Sequence, residues 1–512
     1  MTGSFAACSA PRSGKIPERE KDMVMMMKRR NFVAAMLMLS LLLASCASGG
    51  SGNETSSGGE PSQSEEVTSD PNADAVPKLD FGGAEVRTIQ QDTTRSFYVE
   101  DSVGDVVNDA IYERNHKIEE RFNVKFAPTV LQKYSDITTS VMQAVLSEDY
   151  EYDIIFGQMF ETASLASQGL CADWNSLPYL DFDRPWYTKS IQESSIGDKL
   201  YMIESDACLS YTEHAYVMVY NQTLAADYAD LPDFYGLVRD GKWTLDKMGE
   251  IVSGMYVDIN GDQRKDAEDR YGFGCFQGTG GPTFALMYGA GLDPIRINDD
   301  MTIENSMDSE LAINKLMKIA ELLNKNDGTV HGSGRFTVGF YEESALFRNR
   351  TLVIAPVKVG MLVGESFRKF EDNYGVLPFP KYDEAQSDYD TIVDGGANIL
   401  SLQKNIPDES AKMVGALVEA LSAESHNNVV PKLCDIALEQ KGVRDEESAE
   451  MLRLALDNRV MNFGFLYDCS KGWVMKLPDI LKDPSSVTSK VASFKDMVTE
   501  YYTGVVNFLT ES

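Results

Sequence analysis

The run Asp153-Ile154-Ile155-Phe156-Gly157 constrains the fold more than any other stretch of the chain. Its apolar residues follow one another without alternation, so both faces of the strand they form must be covered, as in a parallel sheet flanked by helices. The surroundings agree. Before it come a short strand at 85–90 and a helical pattern at 106–122, in which Val107, Ala110, Ile111, Ile118 and Phe122 recur at helix spacing. A strand at 124–126 and a helix at 135–146 precede the run, and a helix at 162–168 follows it. The same alternation returns at 216–220, in a helix starting at Thr244, and in strands at 271–276 and 352–355. The fold class is therefore α/β. Helical patterns dominate the C-terminal part, at 410–421, 447–456 and 491–508, and no period of a solenoid repeat is visible.

A chain of 512 residues exceeds what one hydrophobic core usually serves, which predicts two lobes. With 47 Lys and Arg against 79 Asp and Glu, the net charge is −32, a surface that repels phosphate backbones and excludes nucleic acid as a partner.

The start of the chain carries an address. Lys28-Arg29-Arg30 precedes an apolar run at 32–44, the length of a signal-peptide core and too short for a comfortable membrane span. Leu43-Ala44-Ser45-Cys46 follows and resembles the bacterial lipobox, where the Cys thiol is acylated before cleavage. Each buried acyl methylene contributes about 0.8 kcal/mol, so several chains on Cys46 make a durable anchor on the extracytoplasmic face of the cell membrane. Met25-Met26-Met27 offers a better start than Met1, because residues 1–24 sit awkwardly before the signal. Residues 47–78, rich in Ser, Gly and Glu, cannot bury enough surface to order themselves and read as a flexible tether. Cys171, Cys208, Cys275, Cys434 and Cys469 remain, an odd number at scattered spacings that defines neither a disulfide framework nor a metal site.

The body resembles the extracellular solute-binding proteins of family 1, which serve ATP-driven carbohydrate importers. The resemblance rests on Asn108-Asp109-Ala110-Ile111-Tyr112-Glu113-Arg114-Asn115, the run at 152–157, Asp173-Trp174-Asn175-Ser176-Leu177-Pro178-Tyr179-Leu180 with Pro185-Trp186-Tyr187, Val219-Tyr220-Asn221, Gly241-Lys242-Trp243-Thr244 and the segment 374–382. It implies a periplasmic-binding-protein-like pair of lobes, joined by crossing hinge strands and closing on a ligand without chemistry. It also implies a monomer that delivers its ligand to a membrane permease of an ABC importer. By that analogy residues 79–213 and 391–425 form lobe 1, residues 214–390 and 426–512 form lobe 2, and the crossings fall near 214–221 and 391–400. Where such proteins often carry a Trp-rich segment, this chain has Pro356-Val357-Lys358-Val359, which puts a sugar platform there in doubt.

Sugar sites set aromatic faces against rings and polar side chains around hydroxyls. Trp186, Tyr211 and Trp473 are stacking candidates because each lies among turn or polar residues and not in an apolar stripe. Gln158 at a strand end, Glu213 before the first crossing and Asp394 beside Gly395-Gly396 are the polar candidates, since strand ends and hinges line α/β clefts. Core packing and ordinary surface bonding compete with each of these readings.

The segment 258–269 carries the ligand register of a calcium loop. Asp258, Asn260, Asp262, Asp266 and Asp269 stand at positions 1, 3, 5, 9 and 12, and Arg264 at position 7 can offer its carbonyl. Gln263 stands where such loops prefer Gly, and Asp269 is shorter than the usual Glu. The ion would be structural, and a solvated acidic turn is the alternative. No organic cofactor is indicated. Four scattered His and the absence of a nucleophile elbow or P-loop argue against an enzyme. A surface polysaccharide-degrading enzyme with an Asp/Glu pair, and a peptide-binding or signalling lipoprotein, are the rival functions.

Overall fold

A computed structural model describes residues 72–511 apart from 93–96, 189–190, 267, 276–280, 332–341, 441–442 and 469–470. The signal segment, Cys46 and most of the tether lie outside the described residues. The first strand, β1 (Ala84–Gln91), pairs in parallel with β2 (Val124–Leu131) and β3 (Ile154–Gln158), setting Ala84 opposite Val124 and Ile89 opposite Ile155. Parallel neighbours need crossovers, and the helices Val106–Phe122 and Tyr134–Leu146 provide them. In the first helix the Asp105 side chain accepts from the Asn108 amide at the start, and Asn123 ends it in the left-handed region at φ 50°. All five residues of its apolar stripe are buried, and so are Ile154, Ile155 and Phe156, as a strand covered on both faces requires. The strand β4 (Met202–Ile203) closes the first run of the chain.

The short helix Leu209–Glu213 leads into β5 (Tyr216–Asn221), the first strand of the second sheet. It is followed by β6 (Tyr271–Cys275), a hairpin of β7 (Ile295–Ile297) and β8 (Ile303–Asn305), then β9 (Thr329–His331), β10 (Leu352–Lys358) and β11 (Tyr374–Leu377). The order is β11-β5-β10-β6-β9, with β10 antiparallel to β5 and parallel to β6. The chain returns through β12 (Thr391–Ile392), and β13 (Asn398–Ser401) inserts antiparallel between β3 and β4 to complete the first sheet as β2-β1-β3-β13-β4. This is the two-lobed α/β architecture expected from the sequence, with one five-stranded sheet in each lobe.

The two crossings lie side by side. Ala215 bridges Val393, and the Asp394 amide donates to the His214 carbonyl at 3.0 Å. After the small hairpin of β14 (Glu439–Gln440) and β15 (Val443–Arg444), a third strand, β16 (Arg459–Val460), joins β12 in parallel. The C-terminal helices lie on both lobes. Asp408–Glu424 packs on Val106–Phe122 and runs through a π-turn at Ser425–Val429 into Val430–Leu438. Glu446–Asp457 packs against β11, where Ser448 accepts from the Val376 amide at 2.9 Å. Cys171, Cys208, Cys275 and Cys434 are free thiols, and among the described residues no helix is long and apolar enough to cross a membrane.

Candidate functional site

Aromatic rings from both lobes meet at the seam between the sheets. Phe160 follows β3 in the first lobe, and its ring lies 5.5 Å from that of Phe465 in the short helix Phe463–Leu466. On its other side Phe465 meets Phe284 at 5.4 Å and Tyr288 at 5.5 Å, both on the helix Pro282–Gly289 that follows β6. Tyr216, at the start of β5, packs edge-on against Phe284 at 5.6 Å. Offset and edge-on rings of this kind hold one another by more than the area they cover. Gly395 makes the approach of Phe160 possible, because a Cβ there would sit 2.2 Å from the ring.

Behind the rings is a buried polar knot. Asp394 accepts from the Tyr216 hydroxyl and from the Gly396 amide, each at 2.8 Å, and its Oδ1 lies 3.7 Å from the Lys358 ammonium. With these partners the buried carboxylate of Asp394 is compensated, which an isolated charge would not be. His214 donates from Nδ1 to the Ser210 carbonyl at 2.8 Å. Burial first, and the Lys358 charge second, hold its pKa well below the ordinary imidazole value, so the ring is neutral at pH 7.

Three of the six sequence candidates come together at this hinge. Gln158 caps the helix after β3 by accepting from the Glu161 amide at 2.9 Å, and it donates to the Gly395 carbonyl beside Asp394. Glu213 precedes His214 and packs on Gly360, where an added Cβ would lie 3.0 Å from its own. The other three candidates are interior. Trp186 and Tyr211 are each 1% exposed and Trp473 is 2% exposed. The Trp473 indole donates to Asn305 at 3.1 Å, next to the β7–β8 hairpin and apart from the seam. None of them presents an open aromatic face; in the layer, which was not among the candidates, Phe284 and Phe465 are each 1% exposed and Tyr288 4%, covered by one another, and only Phe160 is partly exposed. Val357 and Val359 are buried, so the segment 356–359 brings no aromatic platform to the seam.

Tyr211 belongs to a second buried polar group. Asp206 accepts from His426 at 2.6 Å and from Arg459 of β16 at 3.3 Å, and Arg459 lies over the Tyr211 ring. The hydrogen bond to Asp206 raises the His426 pKa. Glu204 is wholly buried nearby, with no hydrogen bond of good geometry to either oxygen. Burial pushes its pKa up to about 8, against smaller opposing effects of Thr188, Arg459 and Tyr211.

In the acidic loop the side chains turn onto their own backbone. Asp258 accepts from the Gly261 and Gln263 amides, Asn260 from Asp262, and Asp262 from Arg264, at 2.7 to 2.9 Å. Asp269 accepts from the Tyr256 hydroxyl and the Asp266 amide, and Asp266 from Glu268. Gln263 adopts φ 62°, the left-handed turn for which Gly is favoured at that position. Among the described residues no three His, Cys, Asp or Glu side chains converge as a metal-ligand set.

No protein-family profile matches the chain, and no curated protein matches it. Solved structures do. The cyclic alpha-maltosyl-1,6-maltose binding protein from Arthrobacter globiformis has a TM-score of 0.52 at 15% identity, covering 84% of this chain and 100% of its own. A cyclo/maltodextrin-binding protein complexed with maltotetraose scores 0.51 at 11% identity, covering 84% and 97%. An ABC substrate-binding protein from Listeria monocytogenes in complex with cycloalternan scores 0.50 at 14% identity, covering 81% and 98%. The chain is thus similar in fold, over most of its length, to two-lobed substrate-binding proteins.

Proposed function

We propose that this chain captures a carbohydrate, an oligosaccharide, between its lobes and delivers it unchanged to the membrane permease of an ABC-type importer. The observation that carries the reading is the layer of Phe160, Phe465, Phe284 and Tyr288, contributed from both sides of a hinge made of paired crossing strands. Phe284, Tyr288 and Phe465 are buried against one another, so parting of the lobes is what uncovers flat apolar rings that suit the apolar faces of sugars, with Gln158, Glu213 and Asp394 at the same seam to meet hydroxyls. A hinge of two adjacent strands lets small backbone rotations part the lobes. The fold's likeness to proteins solved with maltotetraose and cycloalternan supports the choice of ligand class.

The lipobox-like segment ending at Cys46 supports a lipid anchor on the extracytoplasmic face, with the tether keeping the body near its permease. Metabolic labelling with an alkyne fatty acid tests that part: the wild type takes the label and Cys46→Ala does not, and equal labelling of both refutes the anchor. Ligand class is tested by thermal unfolding against a panel headed by the sugars bound by the three structural neighbours, with short peptides as the contrast. A sugar at 100 times its dissociation constant adds about 2.7 kcal/mol to stability. Stabilisation by peptides alone overturns the carbohydrate reading, and release of shortened sugars overturns the non-catalytic one.

A further inference from the structure

Apart from the seam, the molecule holds a cavity of about 960 Å³ that shares no lining residue with the aromatic layer. It opens where the first lobe meets the last helices. One wall is residues 182–185 with Tyr187 and Thr188, the lining also includes Asp206, His426 and Arg459, and residues of two helices complete it. Val430, Cys434 and Leu438 recur every fourth residue on one helix, while Ala449, Leu452 and Leu456 form a stripe on the other. The π-turn at Ser425–Val429 shifts the helix register where His426 enters the lining, and turns of this kind cluster at functional positions. Apolar walls with a few convergent polar groups, at the upper end of the ordinary size range, describe a small-molecule pocket.

The charges define its occupant. Asp206 is already paired with Arg459 and hydrogen-bonded to His426. At the exposed edge Arg453 and Asp457 stand one helical turn apart on the lining face, and neither is held in an ion pair among the described residues. The lining mixes both signs, Asp183, Asp206, Asp435 and Asp457 with Arg184, Arg453 and Arg459, which opposes a simple anion and a simple cation alike. A molecule carrying both charges and no net charge meets neither objection. The geometry points to a second ligand site in this cavity for a small zwitterion with an apolar side chain, an aliphatic or aromatic amino acid or dipeptide. Its carboxylate pairs with Arg453, its ammonium with Asp457, and its side chain covers Leu438, Leu452 and Leu456.

This site does not depend on the sugar reading of the seam, and its test is separate. The full chain is titrated calorimetrically with L-leucine, L-phenylalanine and Leu-Leu, beside leucinamide, 4-methylpentanoate and glycine. At least one zwitterion with an apolar side chain binds, and each of the other three is at least tenfold weaker. Arg453→Gln and Asp457→Asn, both at exposed positions, each lower the affinity at least tenfold while thermal unfolding without ligand is unchanged. Failure of all three zwitterions to bind at millimolar concentration overturns the site. So does binding that both variants retain, preference for the amide or the simple acid, or displacement by a sugar that binds at the seam.

Discussion

Replacing Glu204 by Gln isolates the cost of one buried carboxyl. The group ordinarily titrates near 4.5, and burial moves it to about 8 in the folded chain. Between those values the unfolded chain releases a proton that the folded chain keeps, so each pH unit removes about 1.4 kcal/mol of wild-type stability. The contribution is fully present below pH 4.5 and lost as pH rises through the folded value. By pH 7 the loss is about 3 kcal/mol, and above pH 8 it levels off near about 5 kcal/mol, a large share of the ~5–15 kcal/mol that folded domains possess. Gln cannot ionise and escapes this loss. It adds a constant offset from its own buried amide. Urea unfolding of both proteins from pH 4.5 to 8.5 should therefore give a variant-minus-wild-type difference that rises with pH and flattens above 8. Asp468, raised to about 7 by burial, acts alike in both proteins and cancels. A difference that is flat across the range, or that falls, refutes the reasoning.

Other perturbations reach the seam and the acidic loop. Gly395→Ala drives a methyl into Phe160, and overpacking of this kind costs about 1–3 kcal/mol, read as a lower urea midpoint; an unchanged midpoint contradicts the close approach. Phe465→Ala removes the ring shared by both lobes and costs about 3–5 kcal/mol, with weakened sugar binding by calorimetry; a variant of full affinity removes Phe465 from the site. For the loop at 258–269 we propose a structural calcium ion: calcium raises the melting temperature, chelator lowers it, and Asp258→Ala with Asp262→Ala abolishes the difference. No response to chelator at low salt leaves only an acidic turn.

Much of the fold is legible in local pattern. The unbroken apolar run before Gly157 suits a doubly covered strand and is one, and the five-residue stripe at 106–122 fixes both the helix and its buried face. The crossings were placed by resemblance, and the pairing of Ala215 with Val393 puts them side by side. The aromatic layer was hidden for a physical reason. The helix Pro282–Gly289 is buried all round, so Phe284 and Tyr288 sit in an apolar run that reads as core, and Phe465 meets them from far along the chain. Tyr211 and Trp473 were chosen for their polar surroundings, and both are buried. Those surroundings include Glu204 and Asp468, carboxyls that are themselves buried, and sequence does not separate a buried carboxyl from a solvated one.

Native mass spectrometry tests the central claim most directly. The full chain is incubated for hours with the oligosaccharide that most raises its melting temperature, and the intact complex is weighed. The account predicts an adduct equal to one whole oligosaccharide per chain, stable over the incubation, with the free sugar unshortened and the adduct diminished in Phe465→Ala. No adduct with any sugar, or fragments accumulating in solution, would contradict capture without chemistry.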